Sequence, residues 1–562
     1  MPPTRETEVT APQRDNQDRR WQHLYSTGLD PTPTLVFDSI PEAWRSRVAA
    51  APDRIAIAYA DQRFTARNVD AMSDALAIAL QSRGVRPGDH VGVYMQNIPQ
   101  YPLALLALWK IGAVGVPINP MYRRAELRHI VDDAHVVGII AGPTDRGELR
   151  ETLNDSSAQW VLSASDADFP TSSSGDTPGS APDESPRESL RTVLDEFIGR
   201  VLVPHESTPD DLALITYTSG TTGSPKGALN THANFLHAAS NYATWVALSP
   251  GDVVLAIAPL FHITGLILNA GISLLTDTTL VLTGRFDPGD TVRAIRDHGV
   301  TFTIGSITAF NAMLAVDSAG AEDFRSVKTF YSGGAPIPPS TITTFRDRFG
   351  IYLHNVWGMT ETTAGGIAVP RGASAPVHGP SGTLSVGVPM QNVTVRIVDP
   401  EGNDVAPGEP GELEFDAPQV VPGYWQNAEA TAQTFPEGRL RTGDVAIMDA
   451  DGWVYLVDRL KDLINASGFK VWPREVEDVL YQHPAVFEAA VVGEPDEYRG
   501  ETVVAYVSLV NGSRAEPDEL VAFVKERIAA YKYPRRVYLV DQVPKTATGK
   551  IQRSVLRPVP QQ

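Results

Sequence analysis

The residues best suited to chemistry lie in a run of glycines, hydroxyls and one lysine, YTSGTTGSPKG, at residues 217–227. The run follows an apolar stretch, LALIT, that is typical of a strand, and it precedes a segment that can form a helix. Glycines let the backbone approach an anion closely, and hydroxyl and main-chain N–H groups can surround phosphate oxygens. Lys226 adds a positive charge. We predict a phosphate-binding loop that is neither a P-loop nor a dinucleotide fingerprint; the alternative is a flexible Gly/Ser loop.

A second pair of motifs is YSGGAP at residues 331–336 and NVWGMTET at residues 355–362. Trp357 stands beside a glycine, and a Thr-Glu pair follows at Thr360 and Glu361. An aromatic ring can stack on a nucleobase, and a hard carboxylate suits Mg²⁺. On its own, a Thr-Glu pair is usually an ordinary surface pair.

Three further motifs follow: RTGD at 441–444, DRLKDLINASGFK at 458–470 and PKTATGKIQR at 544–553. An aspartate on a turn, as at Asp444, can accept two hydrogen bonds from a sugar diol. Lys550 lies in a Thr/Gly turn three residues before an arginine. Taken singly, these motifs are also compatible with a simple turn, a charged linker and a solvated lysine.

In this order, the motifs resemble those of the adenylate-forming superfamily of acyl-CoA synthetases, peptide-synthetase adenylation domains and luciferases. The resemblance extends over nearly the whole chain, from about residue 37 to residue 553. It implies an ATP-dependent acyl-CoA synthetase, in which a carboxylic acid and ATP give acyl-AMP and pyrophosphate, and CoA then gives acyl-CoA and AMP. ATP, Mg²⁺ and coenzyme A are the implied cofactors.

The resemblance also assigns residues to the site. The residues that it implies for binding of ATP or CoA are Thr218, Ser219, Gly220, Thr221, Thr222, Gly223, Lys226, Gly334, Ala335, Asn355, Trp357, Gly358, Asp444, Arg459 and Gly468. The implied catalytic residues are Lys550, Thr360 and His262, and the implied metal ligand is Glu361.

Individual roles near the base follow from the same resemblance. Trp357 flanks the adenine, where most relatives have tyrosine, and Asn355 bonds its amino group. Thr360 contacts the α-phosphate, and Glu361 ligates Mg²⁺. The loop that contains Lys226 holds the β- and γ-phosphates.

The remaining implied roles concern the two half-reactions. Asp444 binds the ribose, Arg459 contacts ATP, and the small domain turns about Lys461. Gly468 lets the pantetheine arm pass, and Lys550 is the catalytic lysine of adenylation. A carboxylate needs no general base to attack phosphorus, so positive charge and in-line positioning are the requirements.

The segment PLFHITG at 259–265 bears on the acid. Enzymes that adenylate amino acids place an aspartate here, whereas this chain has Phe261 and His262, so we predict an acid without an ammonium group. Glycines at 333 and 334 leave room for a chain, with apolar walls expected at 266–272 and 303–314. The run SGFKVWPREVEDVLYQHPAV is similar to bacterial fatty-acyl-CoA ligases, which favours a medium- or long-chain fatty acid.

Several different functions stay open at this point. One is a CoA ligase for an aromatic or branched acid, and another is a fatty-acyl-AMP ligase that loads a separate carrier protein. A peptide-synthetase adenylation unit, a luciferase-like oxygenase and an inactive module that binds ATP or acyl-AMP are also compatible with the motifs. The intact Lys226, Glu361, Asp444 and Lys550 argue against the inactive module.

The elements that must position these residues alternate between apolar strands and helices. RIAIAYA, a helix over 65–83, HVGVYM and YPLALLALWKIGA predict a mainly parallel sheet flanked by helices. We expect an α/β fold: a large N-terminal domain, 21–458, with two α/β-layered subdomains and a small distorted β-barrel or antiparallel sheet at 386–457, and a small mobile α+β C-terminal domain, 459–562. A disordered tail at 1–20 and a mobile insertion at 163–188 complete the prediction.

Composition limits the function classes. With 47 basic and 67 acidic residues, the net charge of -20 argues against non-specific nucleic-acid binding. The absence of cysteine excludes disulfides, thiolate metal sites and a thioester on the enzyme, and it fits a reducing cytoplasm. The N-terminus has no apolar core of a signal peptide, and the apolar window at 265–284 contains Asp277, so we predict a soluble protein without a membrane segment. The oligomeric state stays open, with a homodimer as one alternative.

Overall fold

The computed structural model describes residues 19–143, 146–165, 168–169, 189–218, 225–335, 337–379, 382–459, 462–466, 469–496, 500–546 and 551–556. Residues 1–18 of the predicted tail at 1–20 and most of the predicted insertion at 163–188 lie outside these residues. The described strands are β1 Ile55–Tyr59, β2 Gln62–Thr65, β3 His90–Tyr94, β4 Val114–Ile118, β5 Gly138–Ala141, β6 Val161–Ser163, β7 Leu212–Tyr217, β8 Gly227–Thr231, β9 Val253–Leu255, β10 Thr279–Leu282, β11 Phe302–Ser306, β12 Thr329–Gly333, β13 Leu353–Met359, β14 Ala364–Ala368, β15 Val388–Pro389, β16 Thr394–Val398, β17 Pro410–Asp416, β18 Leu440–Met448, β19 Val454–Arg459, β20 Ile464–Ala466, β21 Phe469–Val471, β22 Val486–Asp496, β23 Gly500–Leu509 and β24 Arg536–Leu539.

The helices follow the same chain order. The described α-helices are α1 Ile40–Ala50, α2 Ala66–Ser82, α3 Gln100–Lys110, α4 Arg124–Asp133, α5 Arg146–Leu153, α6 Leu190–Phe197, α7 His232–Trp245, α8 Ile263–Gly265, α9 Ile272–Leu275, α10 Pro288–His298, α11 Ile307–Leu314, α12 Pro339–Phe349, α13 Ala428–Thr434, α14 Pro473–Leu480, α15 Pro517–Lys525 and α16 Arg553–Leu556. A π-helix, Leu266–Gly271, joins α8 to α9, and short 3₁₀ helices span Arg20–Leu24, Ala321–Phe324, Thr360–Thr362 and Pro436–Gly438.

The first α/β layer is a six-stranded sheet in the order β6-β5-β3-β4-β7-β8. Its strands are parallel except for β8, which turns back antiparallel along β7. Every residue of β3 and β4 is buried, as expected for a parallel sheet covered on both faces. The helix predicted over 65–83 is α2, whose N-cap Thr65 forms a capping box with Asn68.

The second α/β layer is a nine-stranded sheet in the order β15-β14-β13-β12-β11-β9-β10-β1-β2. Strands β10, β9, β11, β12 and β13 run parallel, and β14 and β15 continue antiparallel. The carboxyl ends of β11, β12 and β13 therefore meet at one edge of the sheet. In open α/β sheets this is the edge where ligands bind. The two predicted α/β layers are confirmed.

Of the two forms expected for 386–457, a small distorted barrel or an antiparallel sheet, the structure shows the second. The described strands β16 to β19 make an open four-stranded antiparallel sheet. Val454 of the edge strand β19 instead forms an isolated bridge with Gly387, next to β15. Because the edge pairs toward the large sheet, the region joins that sheet rather than closing on itself among the described strands.

The C-terminal part has a hydrophobic core of its own. Strands β20 to β24 form a five-stranded sheet that carries α14 and α15. Buried Val476, Leu480, Val491, Val507 and Leu520 belong to this core, which is separate from the others. The predicted order of helix, strand and strand is confirmed in α14, β22 and β23.

The structure describes the chain next to the predicted tail and the first residues of the predicted insertion. Trp21, just after the predicted tail, is buried, and a Cβ added at Gly452 would lie 2.6 Å from its Cβ. At the start of the predicted insertion, Ser163 ends β6, and buried Asp168 accepts hydrogen bonds from Gln100 Nε2 and from the Ser165 N–H. These bonds hold a polar segment that composition alone suggests is mobile.

The apolar window at 265–284 forms the helical run around the π-helix and then β10. It is part of the buried core, as predicted. Within the described ranges, no helix has the length and apolarity to cross a membrane.

Candidate active site

The phosphate loop predicted at 217–227 starts and ends on a paired stem. Strands β7 and β8 are antiparallel, with Tyr217 opposite Gly227. The Thr218 N–H donates to the Lys226 carbonyl at 2.9 Å, and the Lys226 N–H donates to Thr218 Oγ1 at 3.2 Å. The stem thus fixes where the loop leaves the sheet. The loop residues Ser219, Gly220, Thr221, Thr222 and Gly223 lie outside the described residues.

Tyr424, a residue that the sequence motifs did not indicate, contacts both Lys226 and Glu361. The Lys226 ammonium lies 5.0 Å from the centre of the Tyr424 ring, and the Tyr424 hydroxyl donates to Glu361 Oε1 at 2.6 Å. Burial and the adjacent Glu361 carboxylate raise the pKa of Tyr424, so the hydroxyl stays protonated and donates. An isolated bridge between Ala228 and Tyr424 brings the tyrosine to the loop stem.

Glu361 lies in the 3₁₀ turn that follows β13, and only 6% of its surface is exposed. Its carbonyl accepts a hydrogen bond from the Val421 N–H at 3.0 Å. The chain then reverses through left-handed backbone at Thr363 and Ala364. A Cβ at Gly358 would lie 1.7 Å from the Ala364 carbonyl oxygen, so only glycine allows this reversal.

Asn355 lies on β13, at the position predicted for the base. Its Nδ2 donates to the Ser385 carbonyl at 3.2 Å, and the residue is 3% exposed. Its side-chain oxygen is the acceptor that an exocyclic amino group requires.

Trp357, Asp444 and Arg459 are brought together although they are far apart in the sequence. The Trp357 indole Nε1 donates to Asp444 Oδ2 at 2.9 Å, and Arg459 Nε lies 2.7 Å from Asp444 Oδ1. The last two residues are opposite each other in the pairing of β18 with β19. Left-handed backbone at Gly443 and a bond from the Asp444 N–H to Thr442 Oγ1 shape the turn.

The two glycines at the end of β12 serve different purposes. A Cβ at Gly333 would lie 2.7 Å from the Val356 carbonyl oxygen, so this glycine permits close strand packing and leaves no space for a chain. Gly334 has a φ of +79° and open space around its Cβ position. Ala335 follows it, half-buried against the core. Of these two glycines, only Gly334 leaves the space that we expected for a substrate chain to pass.

His262 caps the helical run over 263–275. Its Nδ1 accepts from the Thr264 N–H at 3.3 Å, and the imidazole is half-buried, next to half-buried Phe261. A Cβ at Gly265 would lie 2.3 Å from the Pro259 carbonyl, so the loop and the helix pack tightly. Helix α8 packs against β11 and β14, which puts His262 beside the carboxyl edge of the sheet.

The segments around this edge contain few charged residue types. Residues 257–275, 302–315, 330–335 and 353–368 contain no Asp, Lys or Arg, and their one Glu is Glu361. Burial lowers the pKa of His354 to about 4, so its imidazole is neutral at physiological pH. These segments, all of which the structure describes, contain no Lys or Arg to pair with a second carboxylate, and Glu361 is their one acidic residue.

The C-terminal motif is anchored where it is described. Lys545 pairs with Ile551 in an isolated bridge, and Arg553 donates to the Glu477 carboxylate from Nη2, at 2.8 and 2.7 Å, and from Nε at 3.2 Å. Arg553 also lies 3.8 Å from Asp458, at the end of β19. The residues predicted for the hinge, pantetheine passage and catalysis, Lys461, Gly468 and Lys550, lie outside the described residues.

A family model described as AMP-binding enzyme matches residues 44–425, and one described as AMP-binding enzyme C-terminal domain matches residues 475–550. The chain belongs to the AMP-binding enzyme family. It is 35% identical to a feruloyl-CoA synthase of Amycolatopsis sp over 91% of this chain and 97% of that protein. It is 33% identical to a long-chain-fatty-acid–CoA ligase of Escherichia coli O6:H1 over 96% of this chain and 97% of that protein.

Solved structures agree with this AMP-binding enzyme fold. The anthranilate CoA ligase AuaEII in complex with anthranoyl-AMP superposes with a TM-score of 0.84 at 26% identity, covering 94% of this chain and 98% of that one. The resemblance drawn from the motifs is confirmed, and the chain lies in the acyl-CoA synthetase branch, whose enzymes are AMP-forming acid–thiol ligases.

The donor set fits a metal that this AMP-binding enzyme would bind together with ATP. Among the residues described, no group of three or more histidine or carboxylate side chains could hold a metal ion alone. Mg²⁺ commonly takes one or two carboxylates together with phosphate oxygens. Glu361, held by Tyr424, is a carboxylate of this kind.

Proposed function

We propose that this acyl-CoA synthetase activates a medium- or long-chain fatty acid, as an adenylate first and as a CoA thioester second. The observation that carries the proposal is the composition of the segments at and beside the carboxyl edge of the large sheet, 257–275, 302–315, 330–335 and 353–368, in which Glu361 is the one Asp, Glu, Lys or Arg. We propose that they form the wall of the acid site. A buried charge without a partner costs several kcal/mol, so a wall of this kind disfavours ammonium groups and second carboxylates. An acid with an uncharged tail is the substrate that these walls fit.

In the first step, a carboxylate oxygen of the acid attacks the α-phosphorus of ATP. The bond between that phosphorus and the bridging oxygen to the β-phosphate breaks, and pyrophosphate leaves. We assign Lys226 and Lys550 to neutralise charge on the phosphates, and Thr360 to the α-phosphate. Glu361 would hold Mg²⁺, which supplies further charge neutralisation when it is bound.

Around the nucleoside we assign Asn355 and Trp357 to the base and Asp444 to the ribose. Arg459 would contact ATP from the end of β19. Support for this grouping comes from the bonds that join Trp357 and Arg459 to opposite oxygens of Asp444.

In the second step, the CoA sulfur attacks the acyl carbon, the bond from that carbon to the adenylate oxygen breaks, and AMP leaves. The thiol loses its proton, and at neutral pH a few per cent of free thiol is already ionised. We assign His262 to the acyl and thiol end of the site and Gly468 to passage of the pantetheine arm.

The two steps need different groups near the acyl phosphate, and we propose that the small domain turns between them. A boundary at 458/459 with a hinge at Lys461 is our assignment, supported by the separate core of the C-terminal part. A cytoplasmic location and a homodimer are also proposals; the first is supported by the absence of cysteine, and sedimentation would test the second.

A second candidate is an aromatic acid, and a specific observation favours it. Relatives named feruloyl-CoA synthase and anthranilate CoA ligase cover more than nine-tenths of the chain. Aromatic acids also have uncharged tails, so the wall accommodates them.

The test incubates the purified protein with ATP, Mg²⁺ and one acid at a time, with and without CoA, and identifies products by mass. Octanoate, palmitate, ferulate and anthranilate are the acids, with phenylalanine as the ammonium control. Thioesters of the fatty acids support the proposal, and thioesters of aromatic acids alone select the second candidate. Adenylates that persist despite CoA indicate a ligase for a carrier protein, and activation of phenylalanine contradicts both candidates.

A further inference from the structure

Trp357 makes a hydrogen bond that stacking on a base does not need. Its indole Nε1 donates to Asp444 Oδ2 at 2.9 Å, and the two residues are 6% and 5% exposed. An indole N–H is only a donor, and an ionised carboxylate is only an acceptor, so the direction of the bond is fixed. A hydrogen bond to a charged group away from water is among the stronger ones in proteins.

The indole itself is held in place. It packs on Phe415, with ring centres 5.6 Å apart, and Trp357 is paired with Ile367 in the neighbouring strand β14. Asp444 belongs to β18 in the four-stranded sheet, so the bond connects the two sheets. The position of the carboxylate therefore depends on the large sheet as well as on its own turn.

The two partners of Asp444 differ in how firmly they are held. Arg459 pairs with Oδ1 at 2.7 Å, but its side chain is 29% exposed and it is the last residue of β19, next to our proposed domain boundary. Trp357 bonds the other oxygen from inside the core. If Arg459 turns toward ATP or moves with the hinge, Trp357 still orients the carboxylate.

We propose that Trp357 is a positioning residue that aligns Asp444 to recognise the ribose diol of ATP. The inference rests on the proposed function for the placement of ATP. This role also gives a reason for a tryptophan at position 357. Its rigid indole N–H fixes one oxygen of the Asp444 carboxylate, so that both carboxylate oxygens have a fixed orientation toward the two ribose hydroxyls. Discrimination of ribose from deoxyribose then depends on the indole nitrogen and not only on the stacking face.

The experiment measures kcat/KM for ATP and for 2′-deoxyATP in the wild type, Trp357→Phe, Asp444→Asn and the double variant. Phenylalanine keeps an aromatic face and loses the N–H. We expect Trp357→Phe to lower kcat/KM for ATP roughly tenfold or more, with little change for 2′-deoxyATP, so that the preference for ATP falls toward that of Asp444→Asn. The double variant should lose little more than Asp444→Asn alone.

A matched control is Trp44→Phe, since the Trp44 indole donates to Asp70 Oδ1 at 2.9 Å in another part of the core. Trp44→Phe should keep the wild-type ratio of kcat/KM for ATP to kcat/KM for 2′-deoxyATP. The ratio is measured within each protein, so a partly folded variant still reports it. Equal loss for both nucleotides in Trp357→Phe would overturn the inference. A wild type that does not discriminate, with Asp444→Asn unchanged, would refute the ribose assignment in the proposed function instead.

Discussion

The two ends of the candidate site are built in opposite ways. At the proposed nucleotide end, carboxylates are paired: Asp444 binds Trp357 and Arg459, and Glu361 accepts from Tyr424. At the proposed acid end, the segments 257–275 and 302–315 contain no Asp, Glu, Lys or Arg. A site of this kind recognises one substrate through many polar contacts and the other through shape and the exclusion of charge. Changes at the two ends should therefore have separable effects.

We expect the largest effect from removal of the proposed adenylation lysine, Lys550. Lys550→Ala should lower the rate of adenylate formation roughly a thousandfold, because charge on the phosphates is no longer neutralised. Thioester formation from supplied acyl-AMP should stay close to the wild-type rate. Single-turnover assays of each half-reaction would measure both. Equal loss in the two halves would contradict the separation of steps and the hinge.

We expect the next largest effect from a charge introduced at the proposed acid end. Phe261→Asp should lower kcat/KM for octanoate about a hundredfold while KM for ATP stays within a factor of about two, because an unpaired carboxylate would adjoin an apolar tail. Phe261→Leu is the control and should retain most activity. Loss of ATP binding in Phe261→Asp, at unchanged KM for octanoate, would reverse our assignment of the two ends.

A smaller effect is expected from the residue that sequence reasoning missed. Tyr424→Phe keeps the ring beside Lys226 and removes the hydroxyl that binds Glu361. Losing a hydrogen bond to a carboxylate costs about 1.5–3 kcal/mol, so kcat/KM for ATP should fall roughly ten- to a hundredfold, with more Mg²⁺ needed for half-maximal rate. A Mg²⁺ titration would measure this. If the Mg²⁺ concentration for half-maximal rate does not change, the assignment of Glu361 as a metal ligand is contradicted.

The smallest expected effect is on how the stability of the protein depends on pH. It arises from Asp458, whose side chain is buried. Burial raises the pKa of Asp458 to about 6, although the adjacent Arg553 acts in the opposite direction. Because the folded pKa exceeds the unfolded value, stability from this group is present at low pH and is lost as the pH rises from about 4 to about 6. The expected loss is at most about 2–3 kcal/mol.

Asp458→Asn should remove this part of the pH dependence. The thermal midpoint of the wild type, measured against that of Asp458→Asn between pH 4 and 7, would then fall as the pH rises. A difference that rises with pH would mean that the pairing with Arg553 outweighs burial.

The motifs named residues that the structure brings together, although the roles assigned to them stay predictions. Trp357 and Asp444 are 87 residues apart, yet the motifs named both, because each sits in a local pattern of glycine and hydroxyl residues. Tyr424 was missed because its segment meets β8 and Glu361 through long-range backbone pairing, such as the bridge to Ala228, and no local pattern around it indicates that pairing. Sheet register between distant segments decides such contacts.

The glycines give a similar lesson about the fold. Two adjacent glycines suggested one open passage, but Gly333 faces the backbone of β13 and only Gly334 borders open space. The described strands β16 to β19 of the region predicted as a distorted barrel or antiparallel sheet, 386–457, form an open sheet, and Val454 at its edge pairs with Gly387, next to β15. Alternation predicts strands well, but their partners depend on the whole chain.

The central claim is that a charge-free acid end selects acids with uncharged tails. The most direct measurement compares decanoate with decanedioate, which differ only in a second carboxylate at the far end, as substrates for CoA thioester formation. The account predicts that kcat/KM for decanoate is higher by about a hundredfold or more, since the walls cannot pair the second charge. Equal values for the two acids would contradict it.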